Sequence, residues 1–203
     1  MKTIKLSIII ILSIIFFADL YGQRNAFEYG LLFNVNGIHL EGEEWGGGAI
    51  SIGSFVTRDL SKKVSGTVEI RYTQKGGNFE YSNAIGVQEY EIIKLRYLEI
   101  PVLIGFNSGS NIRKFSIETG FSYGKLINAN MIFKDFTERP LKPIAENFRN
   151  MDLSWIASLK FHTGLNRKIV CGFRFSHSIL SIHDYLKLYN MTFGFEINYL
   201  PFK

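Results

Sequence analysis

Residues 95–106 read Leu-Arg-Tyr-Leu-Glu-Ile-Pro-Val-Leu-Ile-Gly-Phe, and this stretch decides the fold. From Leu98 to Phe106 every second residue is apolar, whereas Glu99, Pro101 and Gly105 fall on the intervening positions. Successive side chains of a β-strand point to opposite faces, so a period of two predicts a strand with one continuous apolar face. A strand that turns one side toward lipid has such a face.

The same alternation recurs in seven other segments. Aromatic and branched side chains share one face, while Gly, Ser, Thr and single charges share the other. We expect these strands at residues 26–36, 48–56, 64–73, 115–123, 153–162, 169–176 and 189–199. The pattern predicts an all-β fold, an eight-stranded antiparallel up-and-down transmembrane β-barrel.

The connections between the strands differ in length, which orients the barrel. Short linkers lie around 58–63, 107–112 and 165–168, and longer ones around 37–47, 76–89, 125–152 and 180–187. Outer-membrane barrels have short turns on the periplasmic side and longer loops outside. We therefore expect both termini on the periplasmic side.

A soluble eight-stranded barrel of the lipocalin type also alternates, but its faces are reversed. Its polar face would meet water and should be rich in Lys, Glu, Gln and Asn. The polar face here consists mostly of Gly, Ser and Thr with charges of both signs. Small residues and compensating charges suit the narrow lumen of a small barrel, which favours the membrane interpretation.

The N-terminus has the order of a secretory signal peptide. Lys2 and Lys5 precede an apolar run from Leu6 to Ala18, and small residues follow at the expected cleavage point after Gly22. We expect residues 1–22 to be the signal peptide and residues 23–203 to form the barrel domain in the cell outer membrane. Cys171 is the single cysteine, so no internal disulfide is expected.

The chain resembles the PorT-like family of outer-membrane β-barrel proteins. The resemblance rests on residues 94–106, on Phe55-Val56-Thr57-Arg58 with Gly76-Gly77, and on the closing strand to Tyr199. It implies an eight-stranded barrel. The namesake of the family is linked to a bacterial secretion and gliding apparatus, which makes an accessory role in an envelope assembly an expectation.

Charged side chains on the polar face are expected to fill the lumen as an ion-pair network. Arg71 should meet Glu99 on the neighbouring strand, and Lys160 should meet Glu118 or Glu196, because an unpaired buried charge is costly. Pro101, which has no N–H to donate, should interrupt the strand ladder and produce a nearby bulge that re-aims Arg96 and Tyr97. The predicted network comprises Glu69, Arg71, Glu99, Glu118, Lys160, Arg174 and Glu196.

Ser176, His177 and Ser178 raise the alternative of a lipid-modifying enzyme similar to a lipid deacylase. Adjacent strand residues face opposite ways, however, so the two serines should look into the lumen while His177 looks out. The acidic loop 39–45 does not have the spacing of a calcium loop, and Gly46-Gly47-Gly48 leads into a strand rather than a helix. We therefore expect no catalytic, cofactor or metal site and no nucleic-acid partner.

Basic residues follow the apolar run at the expected outer rim. Lys94 and Arg96 on one strand and Lys125 on the next are the first outward positions beyond the hydrocarbon. We expect them to contact lipopolysaccharide, with ordinary snorkelling to the interface as the alternative. The sequence thus predicts a non-enzymatic surface interaction protein, or an accessory component of an envelope or secretion assembly. Its partners would be outer-membrane lipid, lipopolysaccharide and an envelope protein.

Overall fold

The computed structural model describes residues 27–41, 45–82, 88–109, 114–132, 138–140, 148–162, 168–185 and 187–201. The predicted signal peptide lies outside these residues. Nine strands occur in the described part: β1 (Phe27–Leu40), β2 (Trp45–Asp59), β3 (Val64–Ser82), β4 (Gln88–Gly109), β5 (Lys114–Ile132), β6 (Glu138–Pro140), β7 (Met151–His162), β8 (Ile169–Ser178) and β9 (Asn190–Tyr199).

Eight of these strands close into a barrel. Every neighbouring pair is antiparallel in the order β1-β2-β3-β4-β5-β7-β8-β9, and β9 returns to pair with β1. Among the described residues, the short strand β6 pairs with Asn130–Ile132 at the end of β5 that lies near the long connections, which we call the outer end. Closure leaves no strand edge in the hydrocarbon, where unpaired backbone groups would be costly. The predicted all-β barrel is confirmed. In the part of the chain that the structure describes, no helix has the length and hydropathy needed to cross a membrane.

The two faces of β4 lie as the alternation predicts. The side chains of Leu98, Ile100, Val102, Ile104 and Phe106 are 40–53% exposed on the outside of the barrel. Tyr97 and Glu99 are fully buried inside. The apolar face therefore points outward and the polar face inward, which is the arrangement of a membrane barrel and the reverse of a lipocalin.

Several strands are longer than the sequence predicts. An expected loop covers residues 76–89, but residues 76–82 and 88–89 instead continue the β3–β4 hairpin, with pairs from Gly76 opposite Lys94 to Ser82 opposite Gln88. Only residues 41–44 separate β1 from β2. Outside the lipid, a strand does not need an apolar residue at every second position. The added length of β3 and β4 therefore shows little of the alternation from which a strand is predicted.

The outer part of the barrel is drawn together where β2 begins. Gly46 packs against the backbone of Gly77 and Asn78, and Gly77 packs against Leu40 at the end of β1. A Cβ atom at Gly46 or Gly77 would overlap those backbone atoms. Gly76 has a φ of 122°, a backbone conformation that glycine adopts readily and other residues rarely adopt.

Pro101 affects one of its two ladders. The β3–β4 pairing has no bridge between Val68–Val102 and Arg71–Glu99, although its register is the same on both sides. The β4–β5 pairing continues unbroken from Glu99 to Leu103. A bulge does occur nearby, at Arg96 and Tyr97, but its extra residue is Ile127 on β5. Arg96 still points outward and Tyr97 still points into the lumen. The prediction that the bulge re-aims these two side chains is therefore wrong.

Candidate functional site

Nine charged side chains form one continuous chain of contacts through the lumen of the described barrel. Acidic and basic groups alternate along it, and each charge is therefore flanked by charges of opposite sign. From the outer end inward the order is Asp152, Lys75, Glu99, Arg71, Glu69, Arg174, Glu196, Lys160 and Glu118.

Arg174 on β8 is the centre of this chain. Its Nη1 and Nη2 donate to the two carboxylate oxygens of Glu69 on β3, each at 2.6 Å. Its Nε lies 2.5 Å from Oε2 of Glu196 on β9 and also 3.1 Å from Oγ of Ser158. The planar guanidinium matches a carboxylate in this two-point geometry. Because β3 and β8 lie on opposite walls, Arg174 ties the two sides of the barrel together.

The outer half of the chain is centred on Glu99. Its Oε2 accepts from Nε of Arg71 at 2.8 Å, and its Oε1 lies 2.6 Å from Nζ of Lys75. Lys75 continues outward, donating to Oδ2 of Asp152 at 2.8 Å and to Oγ of Ser154 at 2.9 Å. Its ammonium also lies 5.6 Å from the ring centre of Tyr97. The ammonium is therefore surrounded by two carboxylates, a hydroxyl and an aromatic face.

The half of the chain nearer the short turns ends at a small cleft. Lys160 lies 2.7 Å from Oε2 of Glu118 and 3.1 Å from Oε1 of Glu196. Asn198 donates to the same Glu196 oxygen at 2.7 Å. Below them lies a cleft of about 40 Å³ with Glu28 and His162 in its lining, which is room for a few water molecules. Glu118 and Lys160 also line this cleft, so this end of the ion-pair chain borders it directly.

All seven residues of the predicted network lie in this chain, and Arg71 meets Glu99 as expected from the strand register. Lys160 contacts both of its predicted partners. Sequence reasoning missed Lys75 and Asp152. Lys75 shares the inward phase of Arg71 and Thr73, but the alternation predicts that the strand ends at Thr73. Asp152 shares the phase of Ser154, but the sequence places it at the end of a long loop.

An apolar cap closes the outer end of the lumen. It consists of buried side chains from the outer ends of strands together with three from the connections: Leu40, Ile93, Leu95, Tyr97, Phe148, Ile182 and Leu188. Phe148 and His183 form a backbone bridge, and their rings meet edge to face at 5.2 Å. Arg149 and Asp184 form an ion pair at 3.1 Å above them. These contacts, which we call the latch, join the two long outer connections.

The predicted enzyme residues do not converge. Ser176 and Ser178 are buried in the lumen, while His177 lies on the outer face. Nε2 of His177 is 3.4 Å from Oε2 of Glu41, so a base and a carboxylate meet at the rim. Neither serine can reach them from inside the wall. Among the described residues, no group of three or more metal-ligating side chains is placed to hold an ion.

The predicted lipid-contacting residues share one sector of the outer rim. Lys94 and Arg96 face outward on β4, and Lys125 faces outward on β5 directly opposite Leu98. Lys125 is exposed, whereas the other two are half-buried. All three therefore lie at or just above the apolar band of the barrel.

A family model described as an outer membrane protein beta-barrel domain matches residues 17–184. The chain belongs to that family. No curated protein matches this barrel in sequence. Among solved structures, Neisserial surface protein A (NspA) matches with a TM-score of 0.52 and 7% identity, over 86% of this chain and 99% of that one. At such low identity the likeness shows the fold alone.

Two further solved structures are similar at lower scores. Ail, the attachment invasion locus protein of Yersinia pestis, matches with a TM-score of 0.48 and 10% identity, over 87% of this chain and 99% of that one. The outer membrane protein OprG from Pseudomonas aeruginosa matches with a TM-score of 0.44 and 12% identity, over 86% of this chain and 94% of that one. Family membership and the apolar outer face place this barrel in the outer membrane.

Proposed function

We propose that this outer-membrane barrel is a non-enzymatic surface interaction protein or an accessory component of an envelope or secretion assembly. The observation that carries the proposal is the state of the lumen. A chain of nine paired charges occupies it, and an apolar cap closes its outer end. Transport or catalysis inside the barrel would need a free route, so the functional surface is the outer end.

The outer end offers a large surface for such a role. β3, β4 and β5 continue beyond the apolar band, and β6 widens this sheet at its outer end. The latch lies at the same end of the barrel, and Tyr185 next to it is 81% exposed. An envelope protein is the partner we expect on this surface. The resemblance of residues 94–106 to the PorT-like family is the basis for including the accessory role in the proposal.

The proposal includes a route to the membrane. Residues 1–22 would act as a cleaved signal peptide, and residues 23–203 would form the mature barrel domain. N-terminal sequencing of the protein from outer membranes would test this, because cleavage after Gly22 leaves Gln23 as the first residue. An intact N-terminus starting at Met1 would contradict it.

Site-specific crosslinking tests the interaction surface. A photo-crosslinking residue at Tyr185 should give a discrete protein adduct in intact cells. The same residue at Lys62, in the exposed periplasmic turn, is the matched control and should not give that adduct. Equal yields at the two positions, or no adduct at Tyr185, would contradict a partner on the outer surface.

A further inference from the structure

The ion-pair chain in the lumen has one more acid than it has bases. Its nine members are five carboxylates and four cationic groups, and every one of them is 5% exposed or less. The nine make their ionic contacts with one another, and no described base outside the chain contacts its carboxylates. A buried charge without a counter-charge is costly. One negative charge in the lumen therefore needs to be balanced.

The two terminal carboxylates of the chain differ in their surroundings. Oδ2 of Asp152 accepts three hydrogen bonds, at 2.8, 3.1 and 3.4 Å. Its Oδ1 has no donor, but the apolar cap closes that end of the lumen. At the other end, Oε2 of Glu118 lies 2.7 Å from Nζ of Lys160, an ammonium shared with a second carboxylate. Lys160 is the single partner that the described residues provide for Glu118, so the excess charge is least balanced there.

An open space adjoins Glu118 in the cleft near the short turns. In the strand register, Gly105 on β4 lies directly between Ser65 on β3 and Glu118 on β5. A Cβ atom at Gly105 would lie 2.6 Å from Oγ of Ser65 and 3.7 Å from Oε1 of Glu118. Ser116 and Asn107 line the same cleft. A hydroxyl and a carboxylate oxygen therefore border a space that the glycine leaves open.

A second acceptor at the cleft lacks a donor. Asn198 lines the cleft and is 3% exposed, and its Nδ2 donates to Oε1 of Glu196 at 2.7 Å. No described donor reaches its buried Oδ1. A water molecule can donate to an amide oxygen, but it cannot balance the charge of a carboxylate. A cation can do so, and hard cations take carboxylate, hydroxyl and amide oxygens as ligands.

The charge and the size of the cleft indicate a monovalent cation. One negative charge is in excess, so one positive charge balances it. The described residues contain no group of three or more His, Cys, Asp or Glu side chains that could hold a metal ion, whereas a tightly bound transition metal uses several such ligands. The cleft, at about 40 Å³, admits an ion with a few water molecules.

We propose that the cleft is a binding site for one sodium or potassium ion, with Glu118 as its carboxylate ligand and oxygens of Ser65 and Ser116 beside it. The ion balances the excess charge of the chain. Beyond Glu118, the cationic groups of Lys160 and Arg174 bar it from the rest of the lumen. The site therefore holds a counter-ion and is not the entrance of a channel. This inference goes beyond the proposed function and does not depend on it.

The test measures the folding equilibrium of the full chain by urea titration in phosphatidylcholine vesicles. The vesicles are prepared in sodium chloride, potassium chloride or N-methylglucamine chloride at equal concentration. N-methylglucamine has the same charge as the two metal ions but is too large for the cleft. Glu118→Gln removes the excess carboxylate. Glu41→Gln, at the exposed outer end of β1, is the matched control.

In the wild type and in Glu41→Gln, we expect the folding equilibrium constant to be about tenfold larger in sodium or potassium chloride than in N-methylglucamine chloride. The reason is that an ion that binds only the folded state stabilises it. Glu118→Gln should lose this difference. It should also be no less stable than the wild type in N-methylglucamine chloride, because its acids and bases are equal in number. A wild type that does not respond to the cation, or a response that persists in Glu118→Gln, would overturn the proposal.

Thallium(I), a heavy substitute for potassium, would locate the ion directly. Crystals of the wild type soaked in thallium(I) should show an anomalous peak beside the Glu118 carboxylate, and crystals of Glu118→Gln should not. This measurement needs no variant for its first result, so it holds even if Glu118→Gln does not fold. Wild-type crystals without a peak at Glu118 would overturn the proposal.

Discussion

At the scale of single residues, the stability of the charged lumen depends on how the charges are paired rather than on how many there are. The nine side chains of the chain comprise five acids and four bases, and each base contacts at least two acids. Removing one base therefore leaves two buried carboxylates with a lost partner. A paired buried charge contributes little by itself, whereas an orphaned one is strongly destabilising.

Arg174 is the residue whose loss should be felt most. Arg174→Met should lower the free energy of unfolding by about 3–5 kcal/mol, because Glu69 and Glu196 lose their closest cation. Urea unfolding in lipid vesicles measures the change. Lys63→Met, at an exposed turn, is the control and should change stability by less than about 0.5 kcal/mol.

A second substitution distinguishes charge from packing. Adding Glu69→Gln to Arg174→Met removes one of the two carboxylates that lost their closest cation, so part of the lost stability should return. A double variant that is less stable than Arg174→Met would contradict the ion-pair account.

At the scale of elements, alternation predicts which face of each strand meets lipid but not where the strand ends. The apolar band from Leu98 to Phe106 is visible because lipid requires it. Above that band, Lys75 and Asp152 obey the same parity, yet Gly76-Gly77 and the proline-containing segment 125–152 suggested loops. The cap residues Phe148, Ile182 and Leu188 have no periodic signal, because connections from different parts of the chain bring them together.

The latch between the outer connections should respond to pH. His183 is buried, and its Nδ1 accepts a hydrogen bond from the backbone N–H of Tyr185 at 3.2 Å. Burial lowers the pKa of His183, although the neighbouring Asp184 carboxylate opposes the shift. In the described part of the two connections, Arg149 and Asp184 are charged neighbours of His183, and they pair with each other.

The sign of this effect follows from proton linkage. His183 binds a proton more readily when the latch is open than when it is closed. The neutral His183 therefore contributes its whole stabilisation of the closed latch above the ordinary histidine pKa of about 6.5. It declines as the pH falls below that value and is lost below the lowered pKa. Amide exchange at Arg149, whose N–H donates to Ile182, should therefore accelerate as the pH falls, after correction for intrinsic rates. His183→Asn should remove this pH dependence, whereas the control variant His177→Asn should retain it. A pH dependence that survives in His183→Asn would contradict the role of His183 in the latch.

At the scale of the whole molecule, the barrel combines a sealed interior with an uneven exterior. The closed ladder satisfies the backbone in lipid, the ion-pair chain satisfies the polar face, and the cap separates that face from the outside. On the described part of the outer rim, Lys94, Arg96 and Lys125 lie on β4 and β5, and His177 pairs with Glu41 on the opposite side. The architecture could be predicted from the sequence, because lipid imposes its own pattern, whereas surface partners impose none.

The most direct test of the account is the ion conductance of the refolded wild-type protein in a planar bilayer. A lumen filled by paired charges and closed by the cap predicts no stepwise current at voltages that the bilayer withstands. Heat-modifiable migration of the same sample would establish that the barrel is folded. Regular single-channel steps from that folded protein would contradict the sealed lumen, and with it the assignment of function to the outer surface.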